Sequence, residues 1–101
     1  MSQLAILVSA DSHHVALRGE VDIATIGQLD AALAGLSGDV EIDCTALEFI
    51  GSSGFHSFDQ GYEAADARGA AFVVSGMNRF QQRVATLLGV PYVVSTENEP
   101  A

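Results

Sequence analysis

The sequence predicts a single α/β domain: a small mixed sheet, mostly parallel with one antiparallel edge, and helices packed mainly on one face. Three observations carry that prediction. Short apolar runs of strand length alternate with stretches whose apolar residues recur at helical spacing. The first two strand-like runs are separated only by a polar turn, which reads as an antiparallel hairpin. From there on each strand is followed by a helix, the pattern of parallel strands joined by crossover helices.

Taken in order, "LAILVS" is the first strand and "ADSHH" the turn. "VALRGEV" sets Val15, Leu17 and Gly19 against Ala16, Arg18 and Glu20, a second strand paired with the first. Ile26, Leu29, Leu33 and Leu36 then fall on one helix face. Thr25 and Gln28 have the spacing of a capping box, with Asp22 also available to the first turn. "VEIDC" returns to strand alternation, with Val40, Ile42 and Cys44 inward and Glu41 and Asp43 outward. Phe55, Phe58, Tyr62 and Ala65 define a second helix face, and Gly69 suits its C-terminal end. "AAFVVSG" is a strand. In "MNRFQQRVATLLG" the spacing predicts a third helix with Phe80, Val84, Leu87 and Leu88 as its core face and Arg79 and Arg83 on the opposite one. Gly89 and Pro91 close that helix, and "YVVS" is expected as a last short strand. One domain over 1–101 is expected, with its core over about 4–94 and 95–101 as a frayed tail.

The bulk numbers narrow the function classes. The chain has 101 residues, with 4 Lys+Arg against 13 Asp+Glu and a formal net charge of −9. All four basic residues are arginine. A surface this acidic repels a phosphate backbone, so nucleic-acid binding is not expected, whereas a partner with a basic face is. No apolar run approaches the roughly 20 residues of a membrane span, and the opening "MSQLAILVSADS" lacks the basic residues and cleavage site of a secretory signal. Cys44 is the sole cysteine, which excludes an internal disulfide and fits a reducing cytoplasm.

The segment "FIGSSGFHSF", residues 49–58, breaks the surrounding pattern. Two hydroxyls stand between two glycines where a strand hands over to a helix. With Gly51 as N-cap, Ile50 and Phe55 have the spacing of a hydrophobic staple and Ser52 is the first helical residue; with Ser52 as N-cap, its hydroxyl is the cap itself. Either way Ser52 lies beside the free N–H groups and positive dipole end of a helix, a place that receives a phosphate well. Spacing alone favours a structural cap over a site.

Three motifs in order resemble the STAS domain, and within it the bacterial anti-sigma factor antagonists: "LRGEVDIATIGQL" with Gly19, Glu20 and Asp22, "DCTALEFIGSSGF", and "RGAAFVVSGMNRFQQRVATLLGV". The resemblance runs from about Leu4 to Tyr92. It implies a protein that binds an anti-sigma factor and so releases a sigma factor. It implies a partner of histidine-kinase-like ATPase fold that phosphorylates the first serine of the pair, and a serine phosphatase that restores it. Carried across, the acceptor is Ser52, with Ser53 second, and the partner-binding face comprises Asp22, Gly51, Ser52, Ser53, Gly54, Phe55 and His56. No metal, cofactor, membrane or nucleic acid is implied, nor any enzymatic activity. Two departures stand out: Gly51 replaces the aspartate usual before the serine, and Phe55, His56 and Ser57 replace the usual Leu-Gly-aliphatic run. Gly51 therefore keeps open a STAS subunit of a transport or signalling complex that does not switch.

Other constellations are weaker. Ser52, His56 and Asp59 share a helix stripe, but a hydrolase needs a nucleophile–base bond, an oxyanion hole and a pocket, and "GSSG" is not the nucleophile-elbow pattern. His13, His14 and Asp11 are too few for a zinc shell and read as a solvated turn. Cys44 reads as a small buried hydrophobe.

Overall fold

A computed structural model describes residues 2–94. Four strands form one sheet in the order β1-β2-β3-β4: β1 Leu4–Val8, β2 His14–Val21, β3 Val40–Ile50 and β4 Phe72–Ser75. β1 and β2 are antiparallel; β2–β3 and β3–β4 are parallel. Helices α1 Ile26–Ala34, α2 Ser52–Ala67 and α3 Arg79–Leu88 supply the connections. The mixed sheet with its antiparallel edge is the predicted architecture. The expectation about 95–101 lies outside the described residues.

The strand alternation translates directly into layers. Val15, Leu17 and Val21 of β2, Val40, Ile42 and Cys44 of β3, and Phe72 and Val74 of β4 are all buried. Leu29 of α1 and Phe55, Phe58 and Ala65 of α2 are buried in the same core, with Ile26, Leu33, Leu36 and Tyr62 packed against it. The other side of the sheet carries lateral polar contacts: His14 Nε2 lies 3.4 Å from Asp43 Oδ2, and Ser75 Oγ donates to Glu41 Oε2 at 2.7 Å. Glycine is needed at Gly19, paired with Leu4 at the start of β1, because a Cβ there would lie 2.3 Å from the carbonyl oxygen of Gln3.

β3 is longer than "VEIDC". It runs on to Ile50, but its pairing with β2 slips twice, from Asp43↔Ala16 to Ala46↔Arg18 and from Leu47↔Gly19 to Phe49↔Glu20. Each slip inserts one extra residue on β3, as a bulge does, and shifts the in/out phase. Asp43 fills the first gap: its Oδ1 accepts from Thr45 N at 2.9 Å and from Thr45 Oγ1 at 2.6 Å. After the second slip Leu47 is inside and Phe49 is half exposed.

Four readings need correction. The first helix is not started by a Thr25–Gln28 capping box. Thr25 is buried and donates its hydroxyl to the Glu20 carbonyl at 2.9 Å, while Asp22 Oδ1 accepts from Ala24 N at 3.0 Å and Thr25 N at 3.2 Å. The capping box is instead at α3, between Asn78 and Gln81. Second, Phe80, Leu87 and Leu88 are not core; they are 70%, 81% and 56% exposed, and α3 buries Gln81 and Ala85. β4 is short, so β3 beyond Asp43 has lost that neighbour, and Gln81 Nε2 meets its edge by donating to the Leu47 carbonyl at 3.2 Å. That bond sets the roll of the helix. Third, Arg79 and Arg83 therefore share the outer side with Phe80 and Leu87 rather than opposing them. Fourth, Tyr92–Ser95 is not a strand over the described residues: there is one bridge, Val74↔Val93, flanked by Val74 N donating to Tyr92 O and Val94 N to Val74 O, both at 2.8 Å.

Candidate functional site

The candidate site is the junction of β3 and α2. Gly51 is the N-cap of α2, in extended conformation (φ −92°, ψ −177°), and Ser52 is the first helical residue. Of the two cap positions open from the sequence, the structure has Gly51. Having no side chain, Gly51 gives the helix start no side-chain cap; its carbonyl accepts from Gly54 N at 3.0 Å, and the amides of Ser52 and Ser53 are left without a cap from this residue. The Gly51 N–H donates to the Val21 carbonyl at 2.9 Å. This bond sets the β2–α1 turn, with Asp22 and Ile23, alongside the helix start.

Close packing beneath holds this geometry. Gly54 is buried; a Cβ there would meet Ile50 Cγ1 at 2.5 Å and Val21 Cγ1 at 2.8 Å. Phe55 is also buried, edge-on to Phe58 with ring centres 6.4 Å apart. Gly54 and Phe55, expected on the partner-binding face, are thus buried beneath the helix start, with Phe55 reaching a small cavity on its far side. Gly51 is different: a Cβ there would meet only the Phe49 ring, at 3.5 and 3.7 Å, and Val21 O at 3.8 Å. These are ordinary contacts, and φ is negative. Nothing local demands glycine in place of aspartate.

Of the expected residues, Ser52 and His56 are exposed and Ser53 and Asp22 are half-buried. Asp22 bonds the Ser2 hydroxyl and the turn amides of Ala24 and Thr25, which hold its carboxyl below the ordinary aspartate range, the serine contributing most and partial desolvation opposing. It is a structural anchor of the turn. Two surface residues went unread in the sequence: Ile23, 84% exposed, and Phe49, 50% exposed with its ring over Gly51. Ile23 was detectable as an apolar side chain in a polar turn. Phe49 was not, because its exposure follows from the slips in β3. Ser52 is therefore exposed at a helix start whose neighbouring segments carry the exposed Ile23 and Phe49.

The hydrolase constellation is not assembled. Asp59 accepts from the Tyr92 hydroxyl at 2.6 Å, and among the described residues no hydrogen bond joins Ser52, His56 and Asp59. Burial first, then the Asp59 carboxylate, pushes the Tyr92 hydroxyl far above its ordinary pKa, so it stays a neutral donor. His13 Nδ1 is 2.6 Å from the Asp39 carbonyl, His14 faces Asp43, and no cluster of three metal-ligating side chains occurs among the described residues. Cys44 is buried and its thiol is pushed up to about 12, by desolvation and then by Asp43; a thiol so held is inert. Among the described residues no helix is long and apolar enough to cross a membrane.

Comparison with known proteins gives the fold a family. Residues 6–94 match the family described as "Mlab, STAS domain". No curated protein matches the chain by sequence. Among solved structures, an anti-sigma factor antagonist from Mycobacterium paratuberculosis superposes with a TM-score of 0.78 at 24% identity, over 96% of this chain and 90% of that one. A putative anti-sigma factor antagonist from Thermotoga maritima gives 0.72 at 16%, over 95% and 89%. The Bacillus cell fate determinant SpoIIAA in its phosphorylated form gives 0.65 at 21%, over 98% and 95%. At these identities the likeness is one of fold.

Proposed function

The chain belongs to the STAS domain family, and from that premise we propose that it is an anti-sigma factor antagonist switched by phosphorylation of Ser52. One observation carries the proposal: Ser52 is exposed as the first residue of α2, over uncapped helix amides, on a surface that also carries exposed Ile23 and Phe49. The superposed antagonist structures support the role through their shared fold.

The switch follows from electrostatics. A phosphate on Ser52 adds about −1.5 to −2 charges. In the free protein it meets helix N–H groups and the positive dipole end, a gain of up to roughly 1 kcal/mol, reduced by Glu48 and Asp22 nearby. In a complex the same group is pressed into a partner's face. Desolvated there without a cation it costs on the order of 3–5 kcal/mol. Binding is lost and the fold is kept. The partner in this reading is an anti-sigma factor of histidine-kinase-like ATPase fold that also modifies Ser52, with a phosphatase to reverse it.

The direct test is phosphopeptide mapping after incubation with the anti-sigma ATPase of the same genome and ATP. Phosphate on Ser52 is the expected result. Phosphate on Ser53 alone, or on neither serine with a kinase verified on another substrate, overturns the switch. Gly51 favours a second reading, a STAS subunit that is not modified, because its local geometry accepts a side chain and the carboxylate's absence therefore has no structural cause. Failure of phosphorylation together with stable binding to an ATPase subunit is the signature of that reading.

A further inference from the structure

Beside the serine surface lies a second one that the switch does not use. On α3 the outward residues fall in two adjacent rows. Arg79, Arg83 and Leu87 follow at i, i+4 and i+8, and Phe80, Val84 and Leu87 at i, i+4 and i+7. Arg79, Arg83, Phe80 and Leu87 are exposed and Val84 is half-buried. Phe80 and Val84 also form one wall of a cavity of about 90 Å³, whose other wall is Phe49, Ile50 and Phe55. That volume takes one large apolar side chain and falls far short of the roughly 300 Å³ at which small-molecule sites begin. Charge is segregated here too. Residues 77–94 hold two of the four arginines and none of the 13 acidic residues of a chain with net charge −9.

We propose that α3 and this cavity dock an acidic, leucine-bearing helical segment of the partner protein, with one apolar side chain seated between Phe49 and Phe80 and its carboxylates against Arg79 and Arg83. The inference rests on the switch reading only for which protein carries the segment. Charge complementarity selects the occupant. The only charges on residues 77–94 are Arg79 and Arg83, so a short acidic segment confined to α3 is attracted, whereas a broad anionic surface also meets the acidic rest of the chain and a second copy related by two-fold symmetry sets arginine against arginine. Glu48, the one carboxylate lining the cavity, orients the segment by repelling acids at its own rim. Because the Phe49 ring also covers Gly51, the two surfaces are continuous.

The test uses the full chain, isotope-labelled, and a helix-forming peptide of about 18 residues with leucines at i, i+3, i+4 and i+7 flanked by glutamates, against a twin with lysines for the glutamates. The expected result is shift changes at Phe49, Phe80, Val84 and Leu87 and binding at least about tenfold tighter for the acidic peptide. Phe80→Ser is expected to weaken it, and the Arg79→Glu, Arg83→Glu pair to reverse the preference, both with unchanged melting because these side chains are exposed. Equal binding of the twins, no binding, or shifts elsewhere overturns the proposal. Tighter binding to phosphatidylglycerol vesicles through α3 overturns it in favour of a membrane surface, and concentration-dependent shifts of the same residues without peptide in favour of a second copy. No ATPase is present in this assay, so its failure leaves the phosphorylation test of Ser52 standing, and the reverse also holds.

Discussion

α2 and α3 carry the same sequence signature and put it to opposite uses. In α2 the stripe Phe55, Phe58, Tyr62 and Ala65 turns inward, with Phe58 fully buried in a cluster of rings with Phe55, Phe72 and Tyr92. In α3 the stripe Phe80, Val84 and Leu87 turns outward, while Gln81 and Ala85 face the protein. Apolar periodicity states that a helix has a greasy side. It does not state which side the fold needs. For α2 the need is apolar, a sheet face to cover. For α3 it is polar, the unpaired edge of β3, and Gln81 answers it.

The sharpest way to break this contrast is to truncate one ring in each helix. Phe58→Ala removes a fully buried ring and is expected to lower unfolding free energy by about 3–5 kcal/mol. Phe80→Ala removes an exposed one and is expected to change it by under about 0.5 kcal/mol. Urea denaturation with comparable slopes measures both. A Phe80 loss near that of Phe58 would put the α3 stripe in the core and sink the account of the helix.

Next in size is the polar side of α3. Gln81→Ala is expected to cost about 1–3 kcal/mol, because it removes the side-chain half of the capping box, the acceptor of the Asn78 N–H, and leaves the buried Leu47 carbonyl without its partner. Gln81→Leu, which keeps volume and apolar burial, is expected to be destabilising too. If the leucine variant is as stable as wild type, the edge bond does not set the roll of α3.

The two glycines of the site sharpen the comparison from the α2 side. Gly54→Ala drives a methyl into Ile50 and Val21 and is expected to cost about 1–3 kcal/mol. Gly51→Asp meets only ordinary contacts and adds an acceptor at a helix N-cap, so a stability change within a few tenths to about 1 kcal/mol is expected. Its effect should be seen in the phosphorylation rate of Ser52. A large stability loss at Gly51 with an unchanged rate assigns that glycine to the backbone and not to recognition.

The smallest effect is at acid pH, on the open face of the sheet. The Thr45 hydroxyl and amide bonds to Asp43, aided by His14 and opposed by partial desolvation, hold its carboxyl below the ordinary range. A carboxyl lowered in the folded state contributes stability above its unfolded pKa, about 3.9, and loses it as pH falls through the folded value. Asp43→Asn is therefore expected to make the acid limb of the urea midpoint shallower, with little change in its slope near neutrality. An unaltered acid limb would show that the lowering has no weight in stability.

Element order was legible because β2, the start of β3, α1 and α2 obey one period each: Val15 and Leu17, Val40 to Cys44, Ile26 to Leu36, Phe55 to Ala65. The first departure comes where a period is interrupted. The two slips in β3 reset the alternation after Asp43 and again after Leu47, so the outward turn of Phe49 belongs to a pairing that no window of sequence contains. The place of Ser52 was legible for a local reason: glycine, serine and a staple-spaced pair, Ile50 and Phe55, mark a helix start. Its surroundings were not, because Ile23 is brought beside it by the Val21–Gly51 bond, a contact between segments far apart in the chain, and Phe49 turns outward only through the slips in β3.

In the proposed switch, phosphate at Ser52 removes binding while the fold stays intact. The direct measurement is the affinity of the unmodified chain, the Ser52 phosphoprotein and Ser52→Asp for the anti-sigma ATPase of the same genome, with thermal unfolding of all three. Expected are a loss of affinity of about a hundredfold or more on phosphorylation, a partial loss for Ser52→Asp, which carries less charge, and melting midpoints that stay together. Binding lost only along with a collapsed melting midpoint, or Ser52→Asp binding as tightly as the unmodified chain, contradicts it.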